Sequence, residues 1–178
     1  MDSHSSSPII AETERITLRE LTEDDASFVN ELLNSPKFIK YIGDRGVRSD
    51  EDARKFIVER YRKSYEVNGF GLYAVLQKDE GIPVGMCGFV KRDTLPLPDL
   101  GFAFLPEHEG LGYGYESSIA ALKYGRDELN LNEVLAITTL DNIASVGLLR
   151  KLGFEFERIF ETPENESLNL FRLSLAQN

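Results

Sequence analysis

Residues 109–115 read EGLGYGY, placing Gly110, Gly112 and Gly114 on alternate positions directly ahead of the run ESSIAALKYGRDEL. If that run is a helix, its start presents unpaired N–H groups and a partial positive charge, which is chemistry suited to a phosphate. The same glycines would also serve a tight turn. Two familiar phosphate patterns do not fit. Tyr115 stands where a third dinucleotide-binding glycine would fall, and no Gly-Lys-Ser/Thr follows. A second segment, Asn142-Ile-Ala-Ser145 followed by LLRKLGF (148–154), reads locally as an Asn-capped helix closed by Gly153. Cys87 lies inside a strand-like run with no histidine motif nearby, so it reads as a small core residue and not as a nucleophile. The two histidines, His4 and His108, form no ligand cluster, and no metal is expected.

These residues need elements to hold them. RITLREL (15–21) reads as a first strand, and Thr22-Glu-Asp-Asp25 as the start of a helix running to about Asn34, ahead of Pro36. Ser49-Asp-Glu-Asp52 repeats that signature for a helix carrying Ala53, Phe56, Ile57 and Tyr61 on one face and ending near Asn68-Gly69. GLYAVLQ (71–77) and PVGMCGFV (83–90) read as a hairpin, and DLGFAFL (99–105) as the strand that feeds the glycine loop. A helix to about Asn130 follows, then a β-branched strand VLAITTL (134–140), a short helix over 143–152, and a last hairpin from FEFERIF (154–160) and LNLFRLSL (168–175). The order β-α-α-β-β-β-α-β-α-β-β predicts an α/β (α+β) fold, a mixed sheet with helices packed on it.

The chain has 178 residues, the length of one domain with a proper core. We expect a flexible N-terminal segment over 1–12 and a single domain over 13–178. Its formal net charge of -10 places a repulsive field in front of a nucleic-acid backbone, so nucleic acid is not an expected partner. That charge also means a phosphate at the glycine loop would rest on backbone amides and not on a basic patch. No apolar run approaches the ~20 residues of a membrane span, and MDSHSSSPII has no basic leader region. A lone cysteine allows no internal disulfide and suits a reducing compartment, so a cytoplasmic protein is expected.

Taken together, ETER-x-x-LR-x-L, PVG-x-x-G, FLPEHEGLGYGYES and N-x-x-S-x-x-L-L-x-K-LGF span nearly the whole chain. The combination resembles the GNAT superfamily of N-acetyltransferases, and within it the RimJ/RimL ribosomal-protein-alanine acetyltransferase branch. The resemblance implies a single-domain, mostly antiparallel sheet of about seven strands flanked by about four helices. It implies acetyl-CoA as co-substrate, no metal, and a primary amine as acceptor, either a peptide N-terminus or a small molecule. It is compatible with a monomer or a homodimer.

The family's R/Q-x-x-G-x-G/A pyrophosphate motif falls on Glu109-Gly110-Leu111-Gly112-Tyr113-Gly114, so the amides from Gly110 to Tyr115 are expected to hold the CoA pyrophosphate. Glu109 departs from the motif's Arg or Gln and is expected to point away; Leu111 stands where the branch commonly has lysine. Arg150 and Lys151 become the nearest basic candidates for a CoA phosphate. Phe104 and Leu105 occupy the bulged strand that binds pantetheine and the acetyl carbonyl. The tyrosine that many members use as general acid is Leu149 here. The resemblance to RimL-like members moves that role to Ser145, with Asn142 on pantetheine or an ordered water. For the base we expect Asp99, acting through water, ahead of Glu107 and His108. Residues 35–56 would wall the acceptor pocket. Glu109, Leu111 and Leu149 together leave a second reading, a non-catalytic acyl-CoA-binding protein that keeps the fold.

Overall fold

The computed structural model describes residues 7–176. Eight strands form one sheet: β1 (Ile9–Glu12), β2 (Ile16–Arg19), β3 (Leu72–Gln77), β4 (Pro83–Val90), β5 (Asp99–Phe104), β6 (Glu133–Thr139), β7 (Glu155–Glu161) and β8 (Ser167–Ser174). Their order is β1-β2-β3-β4-β5-β6-β8-β7. All neighbours are antiparallel except β5 and β6, which are parallel and joined through the long helix α5 (Tyr113–Asp127).

The expected architecture is present, with two additions. The segment expected to be flexible contains β1, because Ile10 and Ala11 pack on the core and the strand pairs with β2 from Ile9↔Arg19 to Glu12↔Thr17. Residues 1–6, including His4, lie outside the described residues. The second addition is α2 (Pro36–Tyr41), within the segment expected to wall the acceptor pocket, after α1 (Ala26–Leu33). Pro36 opens this helix instead of merely ending the one before, since the first helical position needs no N–H donor.

The first-half helices are set by their caps. Asp25 accepts from the Thr22 amide (2.8 Å) and takes both terminal nitrogens of Arg19 at 2.8 Å, locking the turn into α1 onto β2. Ser49 Oγ accepts from the Asp52 amide at 3.0 Å and starts α3 (Asp50–Phe56). That helix continues through a wider π-type stretch, Ile57–Arg62, into α4 (Lys63–Asn68), which closes on left-handed Gly69. Among the described residues no helix is long and apolar enough to cross a membrane.

Strands β3 and β4 are the centre of the core, buried on both faces. Their two-residue alternation divides them cleanly. Tyr73, Val75, Cys87 and Phe89 face α5, while Ala74 and Met86 face α1 and α3. A third cluster, Leu95, Leu135, Phe160, Leu168 and Leu170, lies under β6 and β8. Tyr65 ties α4 to the sheet: its hydroxyl accepts from the Leu21 amide (3.0 Å), donates to the Leu72 carbonyl, and its ring stacks on Tyr73.

Candidate active site

Strands β5 and β6 share one paired position, Asp99↔Leu135, supported by the Leu135 amide donating to the Pro98 carbonyl at 3.0 Å. Beyond it they diverge, and β6 turns to β8 for its remaining partners. The divergence opens a cleft of about 1480 Å³. One wall is β5 with the loop into α5. The other is the end of β6 with α6 (Ile143–Lys151).

The ladder's register decides which β5 amides face this cleft. The Leu105 amide donates to the Val84 carbonyl at 2.9 Å, so it is spent on β4. Alternation then turns the Phe102 and Phe104 amides to the opposite edge, toward the gap. Of the two residues expected here, Phe104 therefore lines the cleft, whereas Leu105 has a paired amide and a buried side chain.

The glycine loop forms the cleft's open end. Gly110 (φ +73°) and Gly112 (φ +86°) take left-handed conformations, and Gly112 is the residue from which α5 starts. The Glu116 amide reaches the Gly112 carbonyl at 3.1 Å, and among the described residues the amides ahead of it at the helix mouth have no partner outside the helix. Gly114 has an ordinary helical backbone, but a Cβ there would stand 3.1 Å from Leu148 Cδ2 of α6. The glycines thus keep the loop bare and let α6 approach. The Tyr113 side chain points elsewhere: it is buried and accepts from Gln77 Nε2 at 2.9 Å, so only its amide belongs to the loop. Lys151 is exposed and sits 4.1 Å over the ring of Tyr115. Arg150 and Leu111 are exposed.

Arg15 braces this loop, a role that local sequence does not reveal. Its Nη1 donates to the Leu111 carbonyl (2.9 Å) and its Nε to Glu116 Oε1 (2.7 Å), while its guanidinium lies 4.7 Å over Tyr113. Glu116 also accepts from the Arg15 amide at 3.1 Å and from the Thr13 hydroxyl. Burial alone would raise the Glu116 pKa; the bonds from Thr13 and Arg15 outweigh it and hold the carboxyl below its ordinary range. The partners lie about a hundred residues apart in the chain, so only the ETER motif hinted at them. Glu109 pairs with Lys37 of α2.

At the closed end of the cleft stands Asp99. It is 1% exposed, accepts from Arg92 Nε at 3.0 Å, and burial pushes its pKa up to about 6 against the lowering pull of Arg92. Five residues of extended chain, about 16 Å, separate it from Phe104 at the open end. On the facing wall, Asn142 Oδ1 accepts from the Ser145 amide at 3.3 Å and so caps α6. That leaves the Asn142 side-chain NH₂ and the Ser145 hydroxyl without protein partners among the described residues, and both residues line the cleft. Leu149 is buried. Cys87 is fully buried, 3.7 Å from Ser118 Oγ, with its thiol pushed up to about 11 by desolvation. Glu107 and His108 occupy a short turn after β5, His108 on the cleft wall and Glu107 exposed. Among the described residues no three His, Cys, Asp or Glu side chains gather as a metal-holding group. The expected acceptor segment contributes Ser35, Lys37, Phe38, Tyr41, Asp44 and Phe56 to the same cleft.

Comparison with known proteins agrees with this geometry. The family described as "Acetyltransferase (GNAT) domain" matches residues 15–155. The uncharacterized N-acetyltransferase YnaD of Bacillus subtilis is 30% identical over 149 residues, covering 84% of each chain. An acetyltransferase of the GNAT family from Bacillus anthracis superposes with a TM-score of 0.78 at 24% identity, covering 94% of this chain and 98% of that one. RimL, a ribosomal L7/L12 alpha-N-protein acetyltransferase solved in complex with coenzyme A, superposes with a TM-score of 0.79 at 17% identity, covering 94% and 98%. A strand pair that parts beside a bare helix mouth is thus joined to a family match over most of the chain, and the protein belongs to the GNAT family of acetyltransferases.

Proposed function

We propose that this protein transfers an acetyl group from acetyl-CoA to a primary amine by direct attack, with both substrates in the cleft at once. The observation that carries the reading is the parting of β5 and β6, with the glycine mouth of α5 at one end and a buried carboxyl at the other. Acetyl-CoA supplies the activated thioester. The amides of Gly110 to Tyr115 hold its pyrophosphate, the Phe104 amide holds pantetheine, and the Phe102 amide, further down the gap, polarises the acetyl carbonyl as charge develops on oxygen. Asn142 steadies the pantetheine arm through its side-chain NH₂.

The amine must lose a proton before or during attack, and the departing sulfur must be stabilised. Ionised Asp99 takes the amine's proton through a relay of cleft waters, and the Ser145 hydroxyl hydrogen-bonds the thiolate as the C–S bond gives way to the new C–N bond. The acceptor enters past α2 and the segment that follows it. Within the family we place the chain beside the RimJ/RimL-like branch, on the motifs that bracket the loop, so a peptide with N-terminal alanine belongs among the acceptors tested.

The decisive experiment measures thiol release from acetyl-CoA against a panel of peptide N-termini, polyamines and aminoglycosides, with the acetylated amine identified by mass. Amine-dependent release is expected. CoA binding without such release across the panel would instead favour a non-catalytic acyl-CoA-binding protein, the reading that Glu109 and buried Leu149 keep in view.

A further inference from the structure

A phosphate-binding loop entered by a carboxylate poses an electrostatic problem. Glu109 immediately precedes Gly110, and from 109 to 122 the chain offers no lysine or arginine of its own. The guanidinium of Arg15 is held by Glu116 and the Leu111 carbonyl through Nε and Nη1, leaving only Nη2 beside Gly112. The side chain that meets Glu109 comes from elsewhere: Lys37, near the start of α2, places its Nζ on Glu109 Oε2. Both line the cleft alongside Gly110 and Gly112. Neither is buried, the lysine side chain being 62% and the carboxylate 31% exposed, so the pair is a weak and exchangeable one.

We propose that Lys37 is a cofactor-binding residue, a cation of the diphosphate site, held at the loop by Glu109 and passed from that carboxylate to the diphosphate when CoA binds. This rests on the loop being the diphosphate site. A diphosphate carries more charge than one carboxylate and offers more acceptor oxygens, so the ammonium gains by the exchange. Glu109 then acts as a competitor for its own neighbour, lowering affinity while keeping Lys37 in place. Because Lys37 and the cleft residues Phe38 and Tyr41 share α2, the same exchange links cofactor binding to the acceptor wall.

The test is calorimetry with CoA, dephospho-CoA and pantetheine on the wild type, Lys37→Met, Lys37→Arg, Glu109→Gln and the double variant Lys37→Met/Glu109→Gln. Lys37→Met should weaken CoA and dephospho-CoA equally, by roughly tenfold, as one charge-assisted contact allows, and leave pantetheine unchanged. Lys37→Arg should keep most of the affinity. Glu109→Gln should tighten CoA several-fold, and that gain should vanish in the double variant. Unchanged CoA affinity in a folded Lys37→Met protein would overturn the proposal. So would a loss that extends to pantetheine, or one that disappears with dephospho-CoA, which would place the lysine on the 3′-phosphate. Failure of the wild type to bind CoA at all would overturn the loop assignment beneath it, a result distinct from any of these.

Discussion

Asp99 and Ser145 both line the cleft, and their surroundings predict different signatures. Asp99 is buried and its folded pKa lies near 6, above the usual carboxylate value near 4. Between those values the folded state holds a proton that the unfolded state has released. The contribution of Asp99 to stability is therefore fully present below pH 4, falls as pH rises to about 6, and is flat above. Relative to wild type, Asp99→Asn should gain stability across that window, as chemical denaturation at a series of pH values would record. As the proposed base Asp99 must be ionised, so kcat should rise through a limb near pH 6, and Asp99→Asn should lose the limb with about 10² or more in rate. A limb that survives the substitution would assign the base elsewhere. Ser145 is separable from its helix because its backbone amide, and not its hydroxyl, meets the Asn142 cap. Ser145→Ala should lower kcat and kcat/KM together, by about 10² or less, with melting temperature and CoA affinity nearly unchanged. Asn142→Ala removes the cap itself and should lose about 1 kcal/mol of stability. Wild-type turnover in Ser145→Ala would leave the hydroxyl without a role.

At the scale of elements, the loop and helix α5 allow a cleaner test than Gly112 does. An alanine at Gly112 would carry φ +86° and set its Cβ 3.0 Å from Arg15, so loss of stability and loss of binding would come together. At Gly114 the backbone is helical and the obstruction is the end of the Leu148 side chain, which can shift. Gly114→Ala should fold with a near-normal melting temperature and bind CoA several-fold more weakly by calorimetry. This region was legible in the sequence because its signals are local: alternating glycines, an Asn cap, a Gly153 stop. Other elements were not. Pro36 read as the end of α1, when it is also the start of α2. Ile9–Glu12 is too short and plain to announce a strand, and gains its order from β2 and the core. Arg15 reads as a strand residue; its guanidinium becomes a brace only when the sheet brings residue 15 beside 111 and 116. Leu105 and Phe104 look equivalent until register assigns one amide to β4 and the other to the gap.

The whole molecule is two ladders, β1 to β5 and β6 with β8 and β7, that share a single rung at Asp99↔Leu135. The element order implied a mixed sheet, and only the family resemblance, with its bulged strand at Phe104 and Leu105, pointed to this break, because strand divergence depends on where pairing stops and not on which residues form strands. On one face the halves share a core, with Val134, Ala136 and Phe171 joining Tyr73, Val75 and Phe89 against α5; on the other they separate, β3 and β4 packing on α1 and α3 while β6 and β8 cover the cluster around Leu135 and Leu170. A substrate arm lying in the gap would complete main-chain pairing that the polypeptide leaves undone, acting as a removable strand. Amide exchange should then be fast at Phe102 and Phe104 in the free protein and slowed on CoA binding, while Leu105, already paired to Val84, changes little. The same filling should raise the melting temperature in step with ligand concentration, since binding to the folded state alone contributes RT ln(1 + [L]/Kd). Acetyl-CoA would then be at once the reagent and the mortar between two half-sheets, and the protein's resistance to unfolding would follow the abundance of its own co-substrate.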